Sequence, residues 1–315
     1  MDRRKCISFM VPTFNEEANV VPLCERIMAV MLERLPQYDF DILFIDNAST
    51  DGTRDRLRTL CARYQNVRAI FNARNFGQFL SPYYGICQTA GDCTIPICAD
   101  FQDPVERIPD LVALWERGFK VVCAVKIASC ENKCMRLLRS LYYKLLRRFS
   151  HVSHVAHFTG FGLYDRQFVD VMRKLDDPSP FLRGVVAELG FGMTTMSYVQ
   201  QRRRAGRSHN NLKTLYDAAM QGIITYTKLP IRLMALLGGM LFAAGALLAV
   251  LLLASSKMLF SWYLPLLFLL CGLQLGAMGM LGEYLLLLRE KLQRRPLVIE
   301  ECRLNFGESD PHANG

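Results

Sequence analysis

Short apolar runs alternate with helically spaced apolar positions through the N-terminal half of the chain. Ile7 to Pro12, Phe40 to Ile45, Val67 to Phe71 and Cys93 to Cys98 are compact apolar stretches, the length of buried strands. After the first, Val20, Leu23, Ile27, Val30 and Met31 recur at helical spacing; after the second, Leu57 and Leu60 do. Phe119 to Val125 predicts a fifth strand, and Gly160 to Tyr164 and Met193 to Val199 predict two more. Strands spaced by helices predict an α/β domain, a parallel sheet covered by helices on both faces with right-handed crossovers.

Towards the C-terminus the pattern changes. Leu233 to roughly Ala254 and Trp262 to roughly Leu288 are apolar almost throughout. Each reaches the roughly 20 residues that a bilayer core demands. The seven-residue type of connector around Lys257 is short, so the pair predicts a hairpin. Lys228 and Arg232 precede it, Arg289, Lys291, Arg294 and Arg295 follow it, and only Lys257 lies between. By the positive-inside rule both ends are then cytoplasmic. Glu283 is the acid within the second run, near its cytoplasmic end, where it can pair with a basic neighbour or stay at the interface. The expected organisation is a cytoplasmic domain over 1–210, a juxtamembrane amphipathic helix over 211–232, two membrane helices within 233–288 and a cytoplasmic tail over 289–315. Asn132 to Arg148 reads as a basic amphipathic helix, either an ordinary surface helix or one lying on the membrane surface or lining an acceptor site.

Composition narrows the partners. The formal net charge is +9, with Lys and Arg crowded at 202–207 and 289–295. Such clusters suit anionic headgroups or phosphate ligands. Nucleic acid is not an expected partner, because no recognised motif or aromatic-interleaved basic stripe accompanies the charge. The 11 cysteines are irregularly spaced. Cys6, Cys87, Cys98, Cys123 and Cys271 lie in apolar runs, where a free thiol behaves as a small hydrophobe. Cys130 and Cys134 lack a second pair, which argues against zinc. No signal-peptide core opens the chain, so a reducing cytosol is expected for its bulk.

Chemistry concentrates where strands end. Val11-Pro12-Thr13-Phe14-Asn15-Glu16-Glu17 and Ile45-Asp46-Asn47-Ala48-Ser49-Thr50-Asp51-Gly52 are nucleotide-site candidates, since strand-end backbone can meet a base and a carboxylate can accept from ribose. Asn and Asp also favour turns, so either motif alone is weak. The fourth run ends in Cys98-Ala99-Asp100-Phe101-Gln102-Asp103 before Pro104 opens a helix. An α/β enzyme grips its ligand beyond the carboxyl ends of its strands. Asp103 there reads as a helix N-cap. His151, His154 and His157 are three apart but have no partner cluster, and a metal role for them is not favoured.

Taken together, VPTFNEE, FIDNASTDGT, ADFQDP, RRRAGRS and the ending LGEYLLLLREKLQRRP resemble family 2 glycosyltransferases of the polyprenyl-phosphate kind, over about residues 6 to 300. The resemblance implies a GT-A, Rossmann-like doubly wound domain followed by a C-terminal two-helix transmembrane hairpin. It also implies inverting transfer of one sugar from a nucleotide sugar to a polyprenyl phosphate such as undecaprenyl phosphate. UDP-glucose is the first choice of donor; GDP-mannose, galactose and N-acetylhexosamine donors stay open. Localisation would be the cell inner (plasma) membrane, and a homo-oligomer, with tetramers known among similar proteins, stays open too.

By the same resemblance Pro12, Phe14 and Glu16 line the nucleotide pocket, Ile45 and Asp46 lie beside base and ribose, and Cys98 and Ala99 border the donor. Asp100 and Gln102 match the metal ligands of the family's Asp-Ala-Asp-Leu-Gln pattern, and hard oxygen ligands suit Mg2+ or Mn2+. Cys98 replaces the first aspartate, which implies weaker binding of metal alone. Lys126, Arg136 and Ser140 match positions around the acceptor phosphate; Arg136 and Ser140, four apart, share a helix face. Arg203 matches a loop that clamps the diphosphate, and a planar guanidinium suits that work. Some relatives carry a proposed base where this chain has Thr159-Gly160-Phe161-Gly162. A phosphate monoester, with a second pKa near ~6, is already an oxyanion and dispenses with it. Two rivals are kept: a processive polysaccharide synthase, disfavoured by the missing Gln-x-x-Arg-Trp signature and too few spans, and a non-catalytic membrane scaffold that binds a nucleotide sugar.

Overall fold

The computed structural model describes residues 3–128, 155, 158–175, 177, 180–201, 263–292 and 296–307, with scattered positions between 234 and 247. Two compact units divide the chain, one holding 1–140, 153–209 and 295–315, the other 141–152 and 210–294. In the first unit the chain runs β1 (Cys6–Thr13), α1 (Val20–Arg34), β2 (Asp39–Asp46), α2 (Thr53–Arg63), β3 (Val67–Asn72), α3 (Gly77–Gln88) and β4 (Cys93–Pro96). It continues through α4 (Ile108–Glu116), β5 (Val121–Ala128), β6 (Phe158–Asp165), α5 (Arg166–Lys174), α6 (Leu182–Glu188) and β7 (Met193–Val199).

These strands join one sheet in the order β7-β5-β6-β4-β1-β2-β3, with a further strand, β8 (Glu300–Leu304), beyond β3. The sheet's register places Pro12 opposite Ile45 and Thr13 opposite Asp46, so β1 and β2 end level. Period-two alternation sorts the side chains. Ile7, Phe9 and Val11 of β1 join α1, α2 and α4 in one core through Leu23, Ile27, Leu57 and Leu111. Met10, Leu43 and Ile45 face the opposite core, with Tyr83 and Ile86 of α3, Val169 and Met172 of α5, and Val185 of α6. Each large apolar side chain fully buried this way contributes about 1.5–3 kcal/mol. The doubly wound, Rossmann-like α/β arrangement of the GT-A resemblance is thus present.

Three expectations need correction. The sheet is mixed rather than parallel: β6 runs antiparallel between β4 and β5, and β8 antiparallel to β3. The segment after 289 is not simply a tail, because β8 closes the sheet's β3 edge, with Ala69 opposite Leu304. Cys98 and Cys271 are exposed rather than packed as small hydrophobes, whereas Cys123 is buried and its thiol is pushed up to about 12 by that burial.

In the second unit the described helix is α7 (Tyr263–Leu292), with Leu267, Leu275, Met278, Leu281 and Leu285 exposed along it. Its sequence includes Gln274 and Glu283. Among the described residues no helix is long and apolar enough to cross a membrane, so the fold does not establish the expected hairpin. The helices expected over 132–148 and 211–232, the three histidines, and most of the first apolar run lie outside the described residues.

Candidate active site at the carboxyl edge of the sheet

β1, β2, β3 and β4 are parallel, so their carboxyl ends share one edge of the sheet. β1 sits between β2 and β4; the connection from β1 goes to one side and the chain later crosses to the other. That reversal is the topological switch point, where open α/β sheets bind ligands. Phe14–Glu17 after β1, Asn47–Thr53 after β2 and Ile97–Asp103 after β4 all emerge there.

Backbone bonds align these loops. Asn47 N donates to the Thr13 carbonyl and Ile97 N to the Met10 carbonyl, both at 2.9 Å. The first two loops are then laced together: Asn15 N donates to Ser49 Oγ at 2.9 Å, Thr50 N to Asn15 Oδ1 at 2.8 Å and Glu16 N to Thr53 Oγ1 at 2.8 Å. Asn15 (φ 56°), Ala48 (φ 61°) and Phe101 (φ 63°) have left-handed backbone, one in each loop. For Ala48 and Phe101 that conformation costs about 1–2 kcal/mol each, and strain of this kind gathers at functional sites.

Of the residues expected at the nucleotide, Pro12 and Phe14 are half-buried at the end of β1. Glu16 is buried and accepts from Asn19 Nδ2 at 2.6 Å, while its carbonyl accepts from the first amides of α1. Ile45 and Asp46 are fully enclosed. Asp46 Oδ2 accepts from Ser49 N at 3.1 Å and Arg54 Nε at 2.8 Å, and Oδ1 accepts from Ser49 Oγ. Asp46 therefore shapes the turn after β2 from within. Burial opposes the charge of Arg54, yet bonds to Asp46 and Glu301 hold it above the ordinary arginine value.

The turn after β4 is built around two carboxylates. Asp100 is nearly buried, and its Oδ1 accepts from Gln102 N at 3.1 Å. Asp103 was expected to cap the following helix and does not: no side chain caps the turn that begins beyond Pro104. Instead Asp103 Oδ2 accepts from Cys98 N at 3.0 Å and Oδ1 from the Tyr198 hydroxyl at 3.3 Å, closing the turn on itself. Reaching backwards, Asp103 engages the Cys98 amide just beyond the end of β4. Burial pushes this carboxyl up to about 6. Gln200 Nε2 donates to Gln102 Oε1 at 3.0 Å, and Gln201 N to the Gln102 carbonyl at 3.4 Å. The end of β7 thus fastens the turn just before the basic segment 202–207. Lys126, on β5 opposite Tyr198, stands half-buried at the same edge.

Among the described residues no three His, Cys, Asp or Glu side chains gather to hold a metal ion. Asp100 and Gln102 supply two hard oxygen side chains on one turn, which fits Mg2+ or Mn2+ when diphosphate oxygens and water complete the shell. Exposed Cys98 adds a soft thiol on the same turn. Arg136, Ser140 and Arg203 lie outside the described residues. Asn15 and Ser49 entered the sequence reading only as members of the two strand-end motifs, and Arg54, Tyr198 and Gln200 were missed. The Asn-Ala-Ser turn was the available signal for Ser49; nothing local marks the last three.

Residues 8–172 match Glycosyl transferase family 2. The chain is 30% identical over 308 residues to the Uncharacterized glycosyltransferase YkcC of Bacillus subtilis (strain 168), covering 95% of this chain and 94% of that protein. It is 28% identical over 304 residues to the Bactoprenol glucosyl transferase of Shigella phage SfX, covering 94% and 99%. Among solved structures, glucosyl-3-phosphoglycerate synthase from Mycobacterium tuberculosis in complex with UDP is similar at a TM-score of 0.47 and 20% identity, over 70% of this chain and 78% of that one. The family match and the nearly full-length similarity to YkcC place this chain in glycosyl transferase family 2, and it is a glycosyltransferase.

Proposed function

We propose that the chain moves a single glucose, with inversion, from UDP-glucose to undecaprenyl phosphate at the cytoplasmic face of the plasma membrane. The observation that carries this reading is the gathering of the three strand-end loops and Lys126 on one sheet edge. It occurs in a chain whose similarity to bactoprenol glucosyl transferases spans nearly its whole length. The names of those relatives favour glucose and a polyprenyl acceptor over the other donors.

In this reading the loops after β1 and β2 border the base and ribose, with Phe14 and the backbone of 47–49 as the surfaces that meet them. Asp100 and Gln102 would hold Mg2+ or Mn2+, which when bound neutralises the departing diphosphate. Lys126 faces the phosphates, joined by Arg203 on the donor side and by Arg136 and Ser140 on the acceptor side. The acceptor is a phosphate monoester, already an oxyanion near neutral pH, so its oxygen attacks the anomeric carbon without a protein base. The bond to the diphosphate breaks as the new one forms on the opposite face of the sugar. Rate then comes from holding the reacting atoms about 3 Å apart and from stabilising charge on the leaving group.

The membrane part rests on the two apolar runs, on the exposed leucines of α7 and on the return of β8 to the catalytic sheet. Purified protein in detergent, given radiolabelled UDP-glucose and undecaprenyl phosphate, should form a glucosylated lipid of the expected mass. Chelation should stop the reaction and Mn2+ restore it. Asp100→Ala should lower turnover by at least about a hundredfold, the scale for removing a group that stabilises developing charge. Unchanged turnover in that variant removes Asp100 from the site, and a lipid product made only from another donor replaces glucose.

A further inference from the structure

Arg54 belongs to no part of the chemistry above, yet every arm of its guanidinium is engaged. Nε donates to Asp46 Oδ2, Nη1 to Glu301 Oε2 and Nη2 to the Asn72 carbonyl, each at 2.8 Å. Its plane lies over the Phe71 ring, 5.4 Å from the centroid. The three acceptors come from the end of β2, the end of β3 and β8. A lysine could not serve all three, because only guanidinium has this fixed fork. From Asp46 the network continues to Ser49, and from Ser49 Oγ to Asn15 N at 2.9 Å, between Phe14 and Glu16.

One continuous set of bonds therefore runs from the strand that follows α7 into both loops assigned to the nucleotide. Ala73 N, which donates to the Ile299 carbonyl at 2.9 Å, ties the same strand to the end of β3. We propose that β8 is a positioning element for the donor loops, acting through Glu301, Arg54, Asp46 and Ser49. The proposal rests on the reading of 14–17 and 46–49 as the donor site. Its consequence is that the chain beyond the last apolar helix sets how well the nucleotide is held, although it touches no substrate.

Burial decides which variant is informative. Asp46 is wholly enclosed, so deleting Arg54 would strand a buried carboxylate and unfold the loop. Glu301 is half exposed; its removal cuts the link while leaving the Arg54–Asp46 pair intact. The experiment uses the full chain in detergent micelles, titrated with UDP and with GDP in the presence of Mn2+ by calorimetry, with thermal unfolding and steady-state kinetics alongside. Glu301→Ala should weaken nucleotide binding and raise donor KM by about three- to tenfold, with kcat, acceptor KM and Tm unchanged. Glu301→Gln, which keeps an acceptor, should fall between. In an Arg54→Lys background Glu301→Ala should add little, because the same link is already cut. Unchanged affinity in Glu301→Ala, full additivity in the double variant, or a loss that follows a fall in Tm would each overturn the proposal. If the wild-type chain binds neither nucleotide, the donor-site reading falls as well; if it binds and Glu301→Ala binds equally, only this proposal falls.

Discussion

Ala48 holds left-handed backbone at the end of β2 although glycine would take that shape without steric cost. Its neighbours explain why the shape persists. Asp46 and Ser49 fix the turn on either side, and Asn47 Nδ2 donates to Asn75 Oδ1 at 2.8 Å. Ala48→Gly should raise stability by about 0.5–1 kcal/mol, the relieved strain less the extra freedom glycine has when unfolded, read from urea denaturation. A loss of stability would mean that the alanine methyl packs usefully and that the turn is not strained. The same residues show what a sequence conceals. Asp46 was visible as a strand-end carboxylate, but its bond to Arg54, eight positions on, depends on α2 folding back over the strand end. Asp103 looked like a helix cap because it precedes proline; only the fold brings Cys98 N and Tyr198 within its reach.

At the level of elements, the apolar runs of β1, β2, β3 and β7 were legible almost to the residue, because buried strands must be continuously apolar or strictly alternating. β8 was not: Glu300-Glu301-Cys302-Arg303-Leu304 is mostly polar, as suits a strand on the outer edge, and charged edges discourage further pairing. The direction of β6 was also hidden, since local periodicity is the same for a strand running either way. β6 also holds a glycine whose place in the sheet has a physical reason. A Cβ on Gly162 would lie 2.2 Å from the Val122 carbonyl oxygen of β5, so the glycine is required by close backbone approach. Gly162→Ala should push β5 and β6 apart and cost about 1–3 kcal/mol, the usual scale of overpacking, measurable as a lower Tm. Because Lys126 lies on β5, the variant should lose turnover beyond what its unfolded fraction explains. A protein as stable and active as wild type would show that the strands can separate freely there.

For the whole molecule, β8 constrains how the proposed hairpin can lie. The chain leaves the catalytic unit at 209 and re-enters it at 295, and β8 is hydrogen-bonded to β3 of the same sheet. Two strands of one sheet occupy one compartment, so the segment between them crosses a bilayer an even number of times or not at all. The proposed hairpin would satisfy this with two crossings, and in that reading the excess of Lys and Arg outside it would put both ends in the cytoplasm. An epitope placed after Phe306 and one placed before Cys6 should therefore be shielded together in intact spheroplasts and cleaved together in inverted vesicles. An epitope beside Lys257 should show the opposite accessibility, and alkaline carbonate should leave the protein in the pellet. Protease reaching the C-terminal epitope from outside while the N-terminal one stays shielded would require an odd number of crossings, which the pairing of β8 with β3 forbids. Release by carbonate would instead reduce α7 to a helix that rests on the surface, and the lipid acceptor would have to be reached from there.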